Sequence, residues 1–287
     1  MAGAGAAPAI IGSFPLLLVL FGGMGRWEGL VLLGWLAFGA ALYSRGGERV
    51  AVRVGCGFHR PTAAQAAILS SPWSAALRRG QVTPHDVQLY LRRAPEANAY
   101  AAGIRSVGVT TGLLTEFRAQ RLAEDYLEAV LTHELGHRAS RASRFALVTA
   151  WLAAPWRIAT RLTISLVLSA PGRQPRRPLA AVAAAGVIVA IVQAGQQRDW
   201  MTAVVLGGGA FAGVLCPLSD AAIGRRSERA ADRHTATAGL GPQLVAVLQT
   251  LDRAGLQPRS WTARALARHP GVDGRVAALN DLRGPGK

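Results

Sequence analysis

Four stretches of this chain contain no Asp, Glu, Lys or Arg: Pro8–Met24, Gly29–Tyr43, Leu179–Ala194 and Trp200–Leu218. Nothing else in the sequence constrains the fold so strongly. A bilayer core takes about 20 apolar residues as a helix, and such a helix satisfies its own backbone hydrogen bonds. Gly29–Tyr43 is short for a span, but Trp27 and Tyr43 stand at its two ends as interfacial anchors. No Lys or Arg precedes the first run, so it lacks the basic start of a signal peptide. The whole chain is 51% hydrophobic and only 17% charged, against about 25% charged in a typical soluble domain. These features predict a mainly α-helical membrane protein with about four transmembrane helices.

The basic residues are segregated. Residues 44–178 hold 19 arginines, residues 219–287 hold 10 arginines and one lysine, and only Arg26 and Arg198 fall in the two short outer links. The positive-inside rule places both large segments and both termini in the cytoplasm, with the protein in the plasma membrane as a multi-pass chain. The bias rests on Arg45, Arg49, Arg173, Arg176, Arg177, Arg225 and Arg226, all close to the apolar runs. A net charge of +16 also raises nucleic-acid binding. The arginines are not interleaved with aromatics and no nucleic-acid module is visible, so the bilayer is the expected anionic partner.

The chain divides into an N-terminal transmembrane hairpin (1–43), a first catalytic region (44–178), a second hairpin (179–218) and a second catalytic region (219–287). Arg45 to Glu96 is polar. Within it, Thr83-Pro84-His85-Asp86 has the order of a helix start. Asn98 to Leu114 reads as strand, turn, strand. Arg118 to Arg138 has helical spacing, with Leu122, Tyr126, Ala129, Val130 and His133 on one side. Phe145 to Ala170 is apolar and either spans or lies on the membrane surface as an amphipathic helix; Arg157 and Arg161, costly in mid-span, favour the second. Cys56 and Cys216 lie in unlike surroundings, which argues against a disulfide framework. Cys56 and His59 have a C-x-x-H spacing without a second pair to complete a metal site.

His133-Glu134-Leu135-Gly136-His137 is an H-E-x-x-H sequence. Residues four apart share a helix face, so both imidazoles reach one ion, and the intervening Glu134 stands beside a metal-bound water as general base. Gly136 leaves room for a close approach. A hydrolytic zinc site needs a third protein ligand and an open position. An extended pattern with a third His is missing, since Ser140 and Arg144 stand where it would continue. Glu228, followed at i+4 by Asp232, is the candidate third ligand. Like charges at that spacing repel unless something positive is near, and a zinc ion with its histidines satisfies both. The plain alternative is an ordinary surface helix on which Arg225 and Arg229 pair with these acids. His234 is the rival ligand.

In this order the segments resemble HtpX-like membrane zinc proteases, relatives of the CAAX prenyl proteases. Asn98-Ala99-Tyr100-Ala101 is similar to the family's N-A-[FY]-A strand. Val109 to Leu114 resembles its following strand and turn, and Leu127 to His137 its zinc helix. Glu228 to Asp232 fits its E-x-x-x-D motif, and His269-Pro270 with Arg275 its C-terminal element. The resemblance spans about residues 95–138 and 220–280. It implies a gluzincin-type endopeptidase with Zn2+ as cofactor, acting on membrane or misfolded proteins as part of protein quality control. It also implies that Asp232 orients a zinc histidine, that Asn98 holds substrate backbone, and that His269 and Arg275 assist near the oxyanion. Arg275 has a second possible task, holding Asp232. Residues 139–178 match little. A regulatory protease that cuts one repressor or signalling partner would use the same residues. A non-catalytic membrane scaffold would not need Glu134. Sequence gives neither the substrate nor the oligomeric state.

Overall fold

The computed structural model describes residues 2–21, 25, 27–139, 146–169, 176–253 and 271–282. It is mainly helical with one small sheet. The elements run α1 (Ala2–Phe21), α2 (Trp27–Ala41), α3 (Arg45–Val54), β1 (Phe58–His59), α4 (Ala63–Arg79), β2 (Gln88–Arg92), β3 (Ala99–Ala102), β4 (Ser106–Thr110), α5 (Thr111–Arg118), α6 (Glu124–Ala139), α7 (Ala146–Leu152), α8 (Ala154–Ser169), α9 (Arg176–Gln196), α10 (Trp200–Thr237), α11 (Gly241–Arg253) and α12 (Val272–Asp281). The chain forms two compact units. One comprises Met1–Ala2, Ala40–Val148 and Ala221–Lys287, the other Gly3–Gly39 and Thr149–Asp220.

The first unit is built around α6. On one side the α6 residues Leu127, Leu131 and Leu135 pack with Leu69 and Leu77 of α4, Leu91 of β2, Val107 and Val109 of β4, and Leu113 and Leu114 of α5. On the other side Ala129 meets Leu240, Leu244 and Leu248 around α11, and Leu279 of α12. A helix covered on two sides buries more than one stripe, and residues 131–136 are all buried. Tyr126, expected on the inner face, is 36% exposed instead. The helix starts at Glu124, not near Arg118, with Glu124 and Asp125 at its positive end.

The sheet order is β1-β2-β4-β3. Strands β2 and β4 are parallel, and β3 returns antiparallel to β4, pairing Ala99 with Val109 and Ala101 with Val107. The expected strand-turn-strand is β3 and β4 joined by Gly103-Ile104-Arg105. Its C-terminal end differs from expectation: Thr110 caps α5 by accepting from Leu113 N, so residues 111–114 are helical. Gly112 is required there, since a Cβ would lie 2.1 Å from the Pro95 carbonyl oxygen. Thr83–Asp86 is not a helix start. The Thr83 hydroxyl donates to Asp86 at 2.6 Å, closing a turn that feeds β2.

The second unit contains α1, most of α2, α8, α9 and the first part of α10. Ala9, Ala153, Ala212 and Cys216 pack together with Trp156 against them. Gly12 lies under the Trp156 ring, where a Cβ would sit 2.8 Å from it. Trp151 donates its indole N–H to the Trp35 carbonyl at 2.9 Å, and Arg157 pairs with Asp220 at 2.7 Å. Much of the remaining surface is apolar: Ile188 is 61% exposed, Val204 69% and Phe211 66%. Among the described residues α10 is the one helix long and apolar enough by itself to cross a membrane, while α2 passes only jointly with α3. The other apolar runs form shorter apolar helices, over Ala9–Leu18 in α1 and Ala184–Gln196 in α9.

Candidate metal centre

The site lies where α6 meets the last part of α10, within the first unit. Their approach depends on Gly136: a Cβ there would sit 2.8 Å from Ala231 Cα and 3.0 Å from His234 Cβ. That closeness brings Glu228 of α10 opposite His133 and His137. The ligand atoms of these three residues lie within 4.8 Å of one another, the one such His/Cys/Asp/Glu group among the described residues. His59 and Cys56 take no part in it, nor does His234, whose Nε2 is buried near the position of Gly80.

Each imidazole is oriented by a second contact. His133 turns Nε2 to Glu228 at 3.4 Å and Nδ1 to Asp232 at 3.2 Å. His137 turns Nε2 to Glu228 at 3.4 Å, and its Nδ1 lies 3.0 Å from the Ser227 hydroxyl. The rings stand nearly perpendicular, 83° apart. A tetrahedral ion with bonds of about 2.0–2.1 Å keeps its ligand atoms roughly 3.4 Å apart. His133 Nε2 has this spacing to Glu228 Oε2 and His137 Nε2 has it to Oε1, and one ligand atom from each of the three residues lies within 4.8 Å of the others, so the residues present fit a divalent metal ion. The Asp232 carboxylate beside His133 Nδ1 favours a proton there and leaves Nε2 to face the site, and the Ser227 hydroxyl positions the His137 ring.

Arg275, on α12, is buried among these groups. Its guanidinium donates Nε–H to Asp232 Oδ2 at 2.8 Å and Nη2–H to Oδ1 at 2.6 Å, and Nη1 lies 3.2 Å from Glu228. Of the two tasks open to it in the sequence, the structure has it holding Asp232. Burial opposes charge on both partners, but the pairing outweighs it: the Asp232 carboxyl is held below, and the Arg275 guanidinium above, its ordinary range. The same competition acts on His133. Burial would lower its pKa, yet hydrogen bonds to Asp232 and Glu228 raise it to about 9.

Glu134 is buried behind the histidines. Burial pushes its pKa up, against the opposing pull of His133 and His137. Its Oε2 accepts the Ala101 backbone N–H at 2.6 Å. The register explains this contact. Asn98 and Thr110 exchange hydrogen bonds across β3 and β4, so the N–H and C=O groups of Ala99 and Ala101 point outward from the sheet. Strand β3 is therefore an edge of the sheet, with the outward Ala101 N–H taken by Glu134. Asn98, exposed at the start of this edge, turns its Oδ1 back to the Ala99 N–H at 2.8 Å. His269 lies outside the described residues.

Sequence reasoning missed three parts of the site. Ser227 is an ordinary serine beside a candidate ligand. The Ala101 donor is a backbone group with no residue signature. The contact of Arg275 with Glu228 crosses 47 positions (275 − 228) that show no pattern linking them.

Comparison with known proteins supplies the remaining evidence. No curated protein matches the chain. The family model of Peptidase family M48 matches residues 64–283. The match includes α4, the whole of β2 to β4, the H-E-x-x-H helix and the helix that carries Glu228. M48 is a metallopeptidase family, and the His133/His137/Glu228 cluster could hold the metal ion such an enzyme requires. The chain therefore belongs to peptidase family M48.

Proposed function

We propose that the protein is a zinc-dependent, membrane-embedded endopeptidase of the HtpX-like kind, cutting membrane or misfolded proteins at the cytoplasmic face. The observation that carries this reading is the juxtaposition of the His133/His137/Glu228 cluster, the buried Glu134 and the sheet edge β3 bonded to it. Bound zinc supplies Lewis acidity and brings a water molecule's pKa to about 7. His133, His137 and Glu228 hold the ion. Asp232 and Ser227 orient the two imidazoles, and Arg275 positions Asp232 and Glu228. Glu134 accepts the proton of the attacking water and passes it to the leaving amine. Burial holds its pKa above the ordinary carboxylate range, which makes it a stronger proton acceptor than an exposed glutamate.

Strand β3 offers the outward carbonyls of Ala99 and Ala101 to an extended peptide, with Asn98 at the strand's entrance. His269 retains the oxyanion role that the family resemblance implies. In the membrane, α10 is long enough for two tasks. The apolar first half fills a bilayer core, and the second half presents Glu228 and Asp232 to α6. The runs in α1, α2 and α9 make up the other spans, and the arginine bias puts the catalytic unit in the cytoplasm.

Two measurements test this. Detergent-purified protein should contain about one zinc per chain and digest casein, and a chelator should abolish digestion. Loss of metal without loss of activity would refute the reading. With Cys56 and Cys216 replaced, a cysteine at Gln197 should be labelled from outside intact cells, and one at Thr115 should not. Labelling at Thr115 would overturn the topology.

A further inference from the structure

Helix α3 has two faces of different chemistry. Val52 packs against Phe58, Tyr90 and Ala102. Glu48, the one acid in the helix, is buried, and its Oε1 accepts from Arg105 N at 2.7 Å and from the Ser106 hydroxyl at 2.9 Å. The opposite face has no such cover. Val50 is 55% exposed and Val54 83%, four residues apart on one line. Arg45, Arg49 and Arg53, also exposed, form a second line at the same spacing that starts near the Glu48 side, where Arg45 and Arg49 line a cavity with Asp86, and ends with Arg53 beside the valines. With its only carboxylate turned inward, the outer side combines the Val50–Val54 ridge with Arg53 beside it and Arg49 next to that, while Arg45 stands nearer the inner side, within reach of Asp86. That is the make-up of a helix lying in a lipid headgroup layer.

Where α3 begins agrees with this. Only Leu42, Tyr43 and Ser44 separate it from α2, and Tyr43 is 47% exposed at the end of that apolar helix. Two residues reach about 7 Å at most. If Tyr43 marks the headgroup level, Arg45 cannot be far from it.

We infer that α3 docks on an anionic bilayer surface, with Val50 and Val54 at the acyl boundary and Arg49 and Arg53 on lipid phosphates. This rests on the membrane reading above. Through Glu48 the docked helix is tied to the turn after β3, so it sets the catalytic hairpin's position relative to the lipid surface.

A spin label tests it on the full chain in phosphatidylcholine–phosphatidylglycerol vesicles. The label is placed on a Val54→Cys variant in which Cys56 and Cys216 are replaced by Ser. Accessibility to oxygen and to a water-soluble nickel chelate is compared with labels at Val204 on α10 and Thr115 on α5. The inference expects the label at 54 to resemble 204, favouring oxygen. Each arginine near the surface shifts docking about fivefold, so Arg49→Gln with Arg53→Gln should lower the docked fraction's ratio about 25-fold. Vesicles without phosphatidylglycerol should act in the same direction. A label at 54 that resembles 115 while 204 reads bilayer overturns the inference and leaves the membrane reading standing. If 204 also reads water, both fail. A label at 54 shielded from both reagents means that protein covers the face. One that is lipid-exposed yet indifferent to charge removes the anionic partner. Either result contradicts the inference.

Discussion

The two units of this protein are held together in different ways. In the first, several buried charged groups are paired: His133 with Asp232, Asp232 with Arg275, Glu48 with Ser106. In the second, small residues and tryptophans pack closely, one buried-facing ion pair joins Arg157 to Asp220, and large aliphatic side chains face outward. A polar network in a low-dielectric interior punishes the loss of any member, because the partner left behind stays buried and unpaired. Outward-facing aliphatics depend on the surrounding medium. Substitutions should therefore be severe and local in the first unit and mild in the second.

The largest effect is expected at Glu228. Glu228→Ala leaves two histidines to hold an ion and should lose both metal and activity. Metal analysis after dialysis checks this, and normal zinc content would move the third ligand elsewhere. Next is the glycine contrast. Gly136→Ala forces α6 and α10 apart, since its Cβ would lie 2.8 Å from Ala231 Cα. It should cost about 1–3 kcal/mol of stability as overpacking and weaken metal binding. Gly207→Ala, which meets nothing within 4 Å, should leave metal content unchanged. Equal effects in thermal melts and metal titrations would erase the difference between the units. Asp232→Asn keeps the shape but alters the hydrogen bond to His133, and should weaken metal affinity about 10–100-fold.

A smaller effect is in pH. In the metal-free protein the His133 pKa of about 9 stands above its ordinary 6.5. Its proton therefore stabilises the empty site fully below pH 6.5, and that contribution is lost as pH rises through about 9. A metal ion must displace this proton, so affinity should rise about tenfold per pH unit up to roughly pH 9 and then level off. Calorimetry in buffers of different ionisation enthalpy should find about one proton released per ion at pH 7. No release would mean that His133 is already neutral.

What the sequence made legible follows the same division. The H-E-x-x-H spacing maps directly onto a helix face, so His133, Glu134 and His137 could be placed from residue types alone. Glu228 and Asp232 were legible as an unexplained like-charge pair. The strand pair within Asn98 to Leu114 showed in its Gly, Val and Thr content and in short alternations such as Val107-Gly108-Val109. Parallel pairing of β2 with β4 did not, because Gln88–Arg92 sits in a polar region and its partner lies 18 residues away (106 − 88). Thr83–Asp86 misled because the same residue types cap helices and close turns, and only the hydroxyl's choice of partner decides. The outer face of α3 was hidden in a stretch that is polar on average.

The central claim is that one carboxylate does the proton transfer while three other side chains hold the metal. Glu134→Gln separates these tasks, since it keeps the side chain's size and its acceptor for the Ala101 N–H. The account predicts about one zinc per chain, bound as tightly as in the parent protein, with casein digestion reduced to background. A Glu134→Gln protein that still digests casein, or one that has lost its zinc, would contradict it.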